Sequence, residues 1–296
     1  MNYYNEIKAK LIDHEVYSKV KDYSKEKHRV ITYFEIGRLL HEAGKHYGEN
    51  IIGQYSKKLQ IEVGKKYSPR LLRRMRQFYI LFIKQKWSPL ATKLNWSHYV
   101  ELLSIKDSNK ILYYINQCTS FHLSRDELRF KIKNNEYERL DDKTKLKLIN
   151  KESTNITDLV KNPILINNQY SYTDISEKML QRLILEDIPS FLKELGTGFT
   201  FIDNEYKIKI GNRYNYIDLL LFNINFNCYV VIELKVTELK KEHIGQIQVY
   251  MNYVDNHLKA IHQDKTIGII ICKKNNKYIL EYCSDNSILA KEYELV

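Results

Sequence analysis

A strand that should be buried carries two charged side chains, and this conflict constrains the fold more than any other feature of the sequence. Residues 228–236 read CYVVIELKV, a nearly continuous apolar run that is typical of a strand inside a sheet. Glu233 and Lys235 interrupt the run two residues apart. Because side chains alternate across a strand, both point to one face, and Leu234 points to the other. The sequence therefore predicts a sheet that carries a charged site on one face.

A second carboxylate is placed to meet the first. Asp218 lies in YIDLLLF, fifteen residues before Glu233, in the preceding strand of a predicted meander. Neighbouring strands of a meander bring such side chains close together on the sheet. Carboxylates isolated in an apolar strand are costly and normally take up protons. A divalent cation removes that cost, and two carboxylates, a backbone carbonyl and waters suit Mg²⁺.

The alternative is a purely structural arrangement. Glu233 and Lys235 would form a buried ion pair, and Asp218 would be satisfied by a backbone amide. The helix predicted to follow favours a functional site, because Gln246 and Tyr250 share one of its faces. Placed over the carboxylates, an amide and a phenol can hold a phosphate. Taken alone, they are interpreted as a solvated glutamine and an ordinary core tyrosine.

The C-terminal part of the chain is predicted to be α/β with a mixed sheet. Over 174–198 the sequence predicts one amphipathic helix that is ended by Gly196. Three β-rich runs follow, then a helix at about 240–262, and then two strands, KTIGIIICKK and KYILEYCS, around a turn at Asn275-Asn276. Residues 141–173 lose the helical period and are interpreted as a linker with at most one short element.

The first 140 residues are predicted to be entirely helical. The run YSPRLLRRMRQFYILFIKQKW has a clear helix start, with Ser68 as N-cap and Pro69 at the first helical position. A Ser-Pro step at 88–89 predicts a turn, and LNWSHYVELLSI predicts a further helix with Ser97 as its cap.

The positive charge of the chain is concentrated in that helical half. Residues 1–150 hold 30 Lys and Arg against 17 Asp and Glu, a net charge of +13, whereas the rest has a net charge of −2. Such a patch favours a polyanion partner, most often nucleic acid. The alternatives are a solvated charged face or a surface that packs on protein. The residues expected to bind nucleic acid are Lys65, Lys66, Arg70, Arg73, Arg74 and Arg76.

The remaining composition restricts the class of protein. Four cysteines, at 118, 228, 272 and 283, form no CxxC pair and have no nearby His at zinc-ligand spacing, so neither a disulfide framework nor a zinc site is predicted. No apolar run approaches the roughly 18 residues of a membrane span, and the N-terminus has no apolar signal core. The expectation is a cytoplasmic protein that has no membrane partner.

The residues of the charged site resemble, in their order, the PD-(D/E)xK nuclease superfamily. Asp218, then Glu233-Leu234-Lys235, then Gln246-x-x-x-Tyr250 follow a leading helix in a β-β-β-α order. Longer phrases narrow the resemblance to the YhcG-like family of bacterial PDDEXK nuclease-domain proteins: ELGTGFTFIDNEYKIKIG, YIDLLLFN, CYVVIELKV, IGIIICK and AKEYELV. Three more resemble the helical, DNA-binding region of that family: YFEIGRLLHE, YSPRLLRRMRQFY and LNWSHYVELL. The resemblance spans about 30–140 and 174–296.

The resemblance implies three parts of the chain. They are a helical, basic DNA-binding domain at 1–140, a linker at 141–173, and a restriction-endonuclease-like αβββαβ domain at 174–296. The implied function is a Mg²⁺-dependent DNA endonuclease, with Mn²⁺ as the alternative ion. It would act on DNA as a homodimer or within a larger protein assembly.

The resemblance also implies a role for each site residue. Asp218, Glu233 and the backbone carbonyl of Leu234 would bind the metal. Lys235 would orient or help to deprotonate the attacking water and offset the charge that develops on the phosphate. The DNA backbone would be positioned by Gln246 and Tyr250.

One position departs from the family pattern, which has an acidic residue in the leading helix. Leu180 is followed here by Gln181, and Glu177 and Glu186 are the acids of the same helix that can substitute. The departure favours a rival function, a catalytically weak or inactive nuclease fold that binds DNA or forms complexes in a defence, repair or mobile-element assembly. The intact carboxylates and lysine of the strands favour the enzyme.

Overall fold

A computed structural model describes the chain in seven segments and divides it into two compact units, Met1–Tyr137 and Glu138–Val296. The turn expected at Ser88-Pro89 and the residue Cys283 lie outside the described segments. These segments are 2–19, 25–48, 50–84, 94–150, 152–172, 174–281 and 285–296.

The described part of the first unit is built from helices, which confirms the predicted class. Helix α4 begins at Pro69, and Ser68 Oγ accepts a hydrogen bond from the Leu71 N–H at 3.4 Å, so the expected helix start is present. The helices are α1 (Tyr3–Lys19), α2 (Lys25–Tyr47), α3 (Ile51–Glu62), α4 (Pro69–Lys84), α5 (Trp96–Leu102), α6 (Ser108–Phe121) and α7 (Arg125–Lys133).

The cap expected at Ser97 is wrong. Helix α5 already begins at Trp96, so Ser97 lies inside its first turn and Asn95 is the cap residue. His98 Nδ1 accepts a hydrogen bond from the Asn95 N–H at 3.3 Å, and its other ring nitrogen lies 2.9 Å from the carbonyl oxygen of Leu123. His98 therefore has a structural role at this turn.

Helices α2 and α4 approach each other so closely that only glycine fits between them. A Cβ atom built on Gly37 of α2 would lie 2.2 Å from the carbonyl oxygen of Met75 and 2.9 Å from Cβ of Tyr79. Apolar side chains of both helices, including Ile36 and Leu72, bury each other around this contact. The glycine of YFEIGRLLHE thus sets the distance between the two helices.

The described part of the second unit contains a mixed sheet of six strands with helices on both faces, which confirms the predicted class. The strand order is β1-β6-β5-β4-β3-β2, parallel from β1 to β4 and antiparallel from β4 to β2. The strands are β1 (Ile164–Ile166), β2 (Phe199–Ile210), β3 (Arg213–Asn223), β4 (Cys228–Glu238), β5 (Asp264–Lys274) and β6 (Ile288–Leu295).

Two buried layers cover the faces of this sheet. On one face, which we call the α10 face, Leu219 and Ile232 pack under α10 (Glu177–Glu186) and α11 (Ile188–Leu195). On the other, the α12 face, Leu220 and Val231 pack under α12 (Lys241–His257). The predicted core order αβββαβ is present in α10–α11, β2, β3, β4, α12 and β5.

The single helix expected over 174–198 is two helices. The chain breaks at Asp187, whose φ of −139° is not helical and whose side chain accepts the Ser190 N–H at 3.2 Å. Pro189 contributes to the break, because proline has no N–H to donate to the carbonyl four residues before it. The expected end at Gly196 is confirmed.

Residues 141–173 are part of the second unit, and the expectation of a linker is corrected. They contain a strand that pairs in parallel with β6 and thereby extends the sheet. A three-residue strand has too little periodicity to be seen in a sequence. The elements of this segment are α8 (Asp142–Asn150), α9 (Ile156–Leu159) and β1.

A buried carboxylate fastens this segment to α11. Glu194 is 8% exposed and forms an ion pair with Arg139. Its Oε1 also accepts the Leu165 N–H at 3.1 Å, and its Oε2 lies 3.8 Å from Nζ of Lys161.

The strand expected at KYILEYCS is also wrong. Residues 277–281 form the short helix α13 (Lys277–Glu281), and the last strand is β6, in the run AKEYELV. The prediction assumed a hairpin after β5, which gives an antiparallel pair. Strands β5 and β6 are parallel, and a parallel pair requires a longer crossover connection.

No helix within the described segments has the length and apolar character that crossing a membrane requires.

We expect Gly37→Ala to destabilise the first unit by about 1–3 kcal/mol, because the added methyl group must displace a backbone carbonyl of α4. Gly53→Ala is the matched control, since Gly53 lies in α3 and a Cβ atom built on it meets nothing within 4 Å. Helix propensity predicts that this control keeps or raises stability by up to about 1 kcal/mol. Urea unfolding followed by circular dichroism measures both, and equal stability of the two variants would contradict the role of Gly37.

Candidate active site

The candidate site lies where β3 and β4 stop pairing. Their ladder ends at the pair Leu219 and Ile232, and beyond it β2 is the partner of β3 in the described part of the chain. Asp218 is the first β3 residue past the ladder, and its Oδ2 accepts a hydrogen bond from the Leu234 N–H at 2.7 Å. The carboxylate takes the place of a strand partner and fastens β3 to β4 where they diverge.

The alternation of β3 breaks at Asp218. Ile217 is buried on the α12 face and Leu219 on the α10 face, although residues two apart in a regular strand share a face. Opposite Asp218 on β2, between the paired residues 204 and 206, is Glu205 with a φ of 49°. This irregularity leaves the Asp218 carboxylate directed along the sheet toward β4 and not into either core.

Glu233 and Lys235 lie next to each other on β4, and Leu234 packs in the core of the α10 face. Lys235 Nζ donates to Glu233 Oε1 at 2.8 Å, and Glu233 is only 2% exposed. Both parts of the structural alternative are therefore present, the ion pair and the backbone amide on Asp218. They do not account for Glu233 Oε2, which is buried and has no hydrogen-bond partner among the described residues.

Burial and mutual charge shift the pKa values of the three ionisable residues of the site. Burial first, and then the charge of Asp218, raise the pKa of Glu233 to about 7. Burial is also the main cause of the raised pKa of Asp218, and the Leu234 N–H opposes it. Burial acts to lower the pKa of Lys235, but its hydrogen bond to Glu233 and the nearby carboxylates reverse this effect, so that pKa is raised. When all three groups are ionised, the site holds one excess negative charge.

The donor atoms of the site fit a divalent cation. Glu233 Oε2 and the Asp218 carboxylate are oxygen donors, and the excess negative charge requires compensation. In a strand the N–H and C=O of one residue point to the same edge, so the carbonyl of Leu234 faces the edge where its N–H meets Asp218. No group of three or more His, Cys, Asp and Glu side chains placed to hold a metal occurs in the described part of the chain. Two carboxylates and one carbonyl, completed by waters, suit Mg²⁺.

Gln246 and Tyr250 share one face of α12, and the Gln246 side-chain amide donates to the Tyr250 hydroxyl at 3.0 Å. Tyr250 is 5% exposed and belongs to the core of the α12 face. Burial raises its pKa, and the charges of Glu233 and Asp218 add to the rise.

A glycine lets α12 lie close to the sheet. A Cβ atom built on Gly268 of β5 would lie 2.5 Å from the Met251 sulfur and 3.0 Å from Cδ1 of Ile247. The glycine of IGIIICK thus holds the helix that carries the amide and the phenol against the strands of the site.

Gln181, the departure from the family pattern, contacts Asp218 from the α10 face of the sheet. It is 9% exposed, and its Nε2 donates to the backbone carbonyl of Asp218 at 3.0 Å. Glu177 reaches the site, with its Oε2 3.6 Å from Lys235 Nζ, whereas Glu186 pairs with Arg182 at 2.8 Å. Of the two candidate substitutes, the structure brings Glu177 to the site and Glu186 to a neighbour on its own helix.

Sequence reasoning missed His243. It lies in the first turn of α12, where its Nδ1 accepts the Lys240 N–H at 3.2 Å. Burial and then the charge of Lys235 lower the pKa of His243. The only signal in the sequence is a histidine three residues after Lys240 at the start of a predicted helix.

The six basic residues expected to bind nucleic acid have different surroundings. Arg70, Arg73 and Lys65 are exposed, and Arg74 is half-buried. Lys66 is also exposed and Arg76 is half-buried, and both contact other parts of the protein. Lys66 Nζ lies 2.6 Å from Oε1 of Glu15, and a Cβ atom built on Gly44 would lie 3.3 Å from a guanidinium nitrogen of Arg76.

The chain is similar to known nuclease-domain proteins. The curated protein "Putative nuclease YhcG" of Escherichia coli (strain K12) is 26% identical over 314 residues, which covers 89% of this chain and 82% of that protein.

Parts of two solved structures are also similar. A repair endonuclease from Pyrococcus abyssi has 17% identity and a TM-score of 0.31 over 43% of this chain and 50% of its own. The EndoMS-dsDNA2 complex has 19% identity and a TM-score of 0.32 over 44% of this chain and 49% of its own. This chain spans about half the length of each.

Two family models match adjoining parts of the chain. Residues 12–139 match the DUF1016 N-terminal domain, and residues 157–296 match the YhcG PDDEXK nuclease domain. The second match begins inside the segment that was expected to be a linker, in agreement with the position of β1 in the sheet. Residues 157–296 therefore belong to the YhcG PDDEXK nuclease-domain family, and the chain joins this domain to a DUF1016 N-terminal domain.

Proposed function

We propose that this protein is a divalent-cation-dependent nuclease that hydrolyses the phosphodiester bonds of DNA. The observation that carries the proposal is Glu233 Oε2, a buried carboxylate oxygen without a hydrogen-bond partner among the described residues. Leaving a buried acceptor unpaired costs about 1–3 kcal/mol, and more when it is charged. An apolar residue would serve folding better at this position, whereas a cation gives the oxygen its partner.

The cation would be held by Asp218, Glu233 and the carbonyl of Leu234. Bound there, Mg²⁺ or Mn²⁺ would polarise the phosphate and lower the pKa of a water molecule. The Leu234 N–H and the Gln181 amide keep Asp218 in place before any ligand arrives.

Lys235 would stabilise the negative charge that develops on the phosphate. Its ammonium is held 2.8 Å from Glu233 and 3.6 Å from Glu177, so it is positioned before the substrate binds. The raised pKa keeps Lys235 protonated near neutral pH. Of the roles expected for Lys235, orientation of the water and charge stabilisation are favoured over removal of a proton.

Tyr250 and Gln246 would position the DNA backbone. The raised pKa of Tyr250 keeps its hydroxyl protonated, so the group can donate to a phosphate oxygen while it accepts from the Gln246 amide. Both groups act here as neutral donors next to the charged residues.

The first unit would bind DNA through the exposed part of its basic surface. Arg70 and Arg73 extend from the start of α4, and Lys65 precedes that helix. Exposed lysine and arginine side chains attract the phosphate backbone and do not distinguish one base sequence from another.

A second function, a DNA-binding or complex-forming protein with little catalysis, is favoured by Gln181. This position supplies a neutral amide on the helix where the family pattern has an acid. The expectations of a homodimer or a larger assembly stay predictions and apply to both functions.

We expect Glu233→Gln to reduce Mg²⁺-dependent cleavage of supercoiled plasmid by at least about 100-fold, the scale of losing one preorganised electrostatic contact. Glu242→Gln is the matched control, because Glu242 is an exposed acid on α12, and it should cleave like wild type. Assays with plasmid, single strands and a branched junction in Mg²⁺, Mn²⁺ or EDTA measure this. Binding by wild type without EDTA-sensitive cleavage of any of them would favour the second function.

We expect the metal-free protein to lose stability as pH rises between about 4.5 and 7. In this window the raised pKa makes the folded state hold the Glu233 proton that the unfolded state has released, so each rise in pH favours unfolding. Glu233→Gln removes this dependence and leaves no excess charge. Above pH 7 in EDTA the variant should therefore unfold at a higher temperature than wild type.

Calorimetry at pH 5 and pH 8 measures both proteins. Adding Mg²⁺ at pH 8 should stabilise wild type and not Glu233→Gln, because only wild type has the second carboxylate. An equal effect of Mg²⁺ on both would place the cation elsewhere.

We expect the triple change Arg70→Glu, Arg73→Glu and Arg74→Glu to flatten the salt dependence of binding to duplex DNA. Each lost phosphate contact should reduce the log–log slope by about 0.9. The matched control reverses three exposed lysines, with the same change in net charge: Lys133→Glu, Lys143→Glu and Lys193→Glu. Fluorescence anisotropy at roughly 50 to 300 mM salt measures the slope for each of the two variants. Equal slopes in both variants would mean that net charge, and not helix α4, governs binding.

A further inference from the structure

Strands β2 and β3 extend past the sheet as a two-stranded ribbon with one exposed face. Past the end of the β3–β4 ladder, residues 206–210 pair with residues 213–217, and the described part of the chain has no third strand beside them. One face of this ribbon is anchored, since Ile208 and Ile217 are buried in the core of the α12 face. The opposite face carries Tyr214 and Tyr216, which are 56% and 51% exposed.

Basic residues alternate with the two rings on that face. In the register of the ribbon, Lys207 pairs with Tyr216 and Lys209 pairs with Tyr214. Lys207 Nζ also lies 4.0 Å from the ring centroid of Tyr214. A cross-strand contact of this kind stabilises a ribbon by itself. Ribbon stability alone does not explain why both rings are half exposed beside two exposed ammonium groups. Exposed rings beside exposed cations are the arrangement expected of a surface that binds a stacked, negatively charged ligand.

The exposed face is continuous with the candidate active site. Tyr216 and Tyr214 precede Asp218 by two and four residues on the same strand, which is about 7 and 13 Å at the rise of a β-strand. Glu205, the acid on this face, lies opposite Asp218. Lys207 and Lys209 lie farther from Asp218 along the ribbon.

A cavity of about 470 Å³ adjoins the same place. Two of the residues that line it, Gln181 and Glu205, are neighbours of Asp218. Its lining residues are Lys178, Gln181, Arg182, Leu185, Glu186 and Glu205.

The exposed rings of Tyr214 and Tyr216 favour single-stranded over duplex DNA. Bases inside a duplex already stack on one another, so protruding aromatic rings meet open base faces only on an unpaired strand. A basic surface without rings would serve either form equally, because it contacts phosphates alone.

We propose that this face binds an unpaired strand, with bases stacked on Tyr214 and Tyr216 and phosphates held by Lys207 and Lys209. The substrate class is then DNA that has a single-stranded segment next to the bond that is cut. This inference rests on the proposed nuclease function and specifies the substrate of the same site.

The test compares binding of a fluorescein-labelled 20-nucleotide dT strand and a 20-base-pair duplex to the full chain in EDTA, where no cleavage takes part. The double variant Tyr214→Ala and Tyr216→Ala should weaken single-strand binding about 10- to 100-fold, at about tenfold per stacked base. Duplex binding should change less than about twofold, since it depends on phosphate contacts.

Two further variants isolate stacking. Tyr214→Phe with Tyr216→Phe keeps both rings and should bind the strand like wild type. Tyr278→Ala removes a tyrosine that is 75% exposed on α13 and should change neither affinity.

DNA binding by the basic first unit could mask strand binding at Tyr214 and Tyr216, so photo-crosslinking is used to locate the bound strand. A strand that contains 4-thiothymidine, irradiated with the wild-type chain, should form adducts on the peptide that holds Tyr214 and Tyr216. Adducts confined to the first unit, or equal losses for strand and duplex, would overturn the proposal. So would unchanged strand binding with a change in oligomeric state, which would make the face an interface between copies. Cleavage is absent from every readout, so a protein that does not cut DNA leaves this test valid.

Discussion

The hydrogen bond between the Asp218 carboxylate and the Leu234 N–H is the interaction on which the rest of the site depends. It closes the gap where β3 leaves β4, and it replaces a backbone ladder with a side chain that also carries charge. Without it, the strand that bears Glu233 would have an unpaired amide beside a buried carboxylate. Folding and the candidate chemistry therefore use the same atoms at this point.

Local rules predicted which side chains of the candidate site lie beside each other on one strand or one helix. The period of two places Glu233 and Lys235 together, and the spacing of four places Gln246 and Tyr250 together, with no knowledge of the fold. The break of alternation at Asp218 was beyond such rules, because it arises from two cores that pull neighbouring residues to opposite faces.

The errors in the predicted fold have a common cause. Strand β1 and helix α13 are short and depend on the strand beside them or on a crossover, so their own sequences hold little periodicity. The break at Asp187 was readable from Pro189 but was outweighed by the amphipathic pattern around it. The amide donor of Gln181 could be noticed in the sequence only as a departure, and its partner is a backbone carbonyl that no motif records.

The contacts of Glu194 have a consequence for how the two parts of the chain evolved and can be separated. Its partners Arg139 and Lys161 precede the first helix of the nuclease core, so a chain cut at 173 would keep the acid and lose both of its cations. An uncompensated buried carboxylate is costly, and such a fragment would also lose an edge strand. Recombination that exchanges the helical half for another module would have to carry the residues from 138 onward together with the sheet.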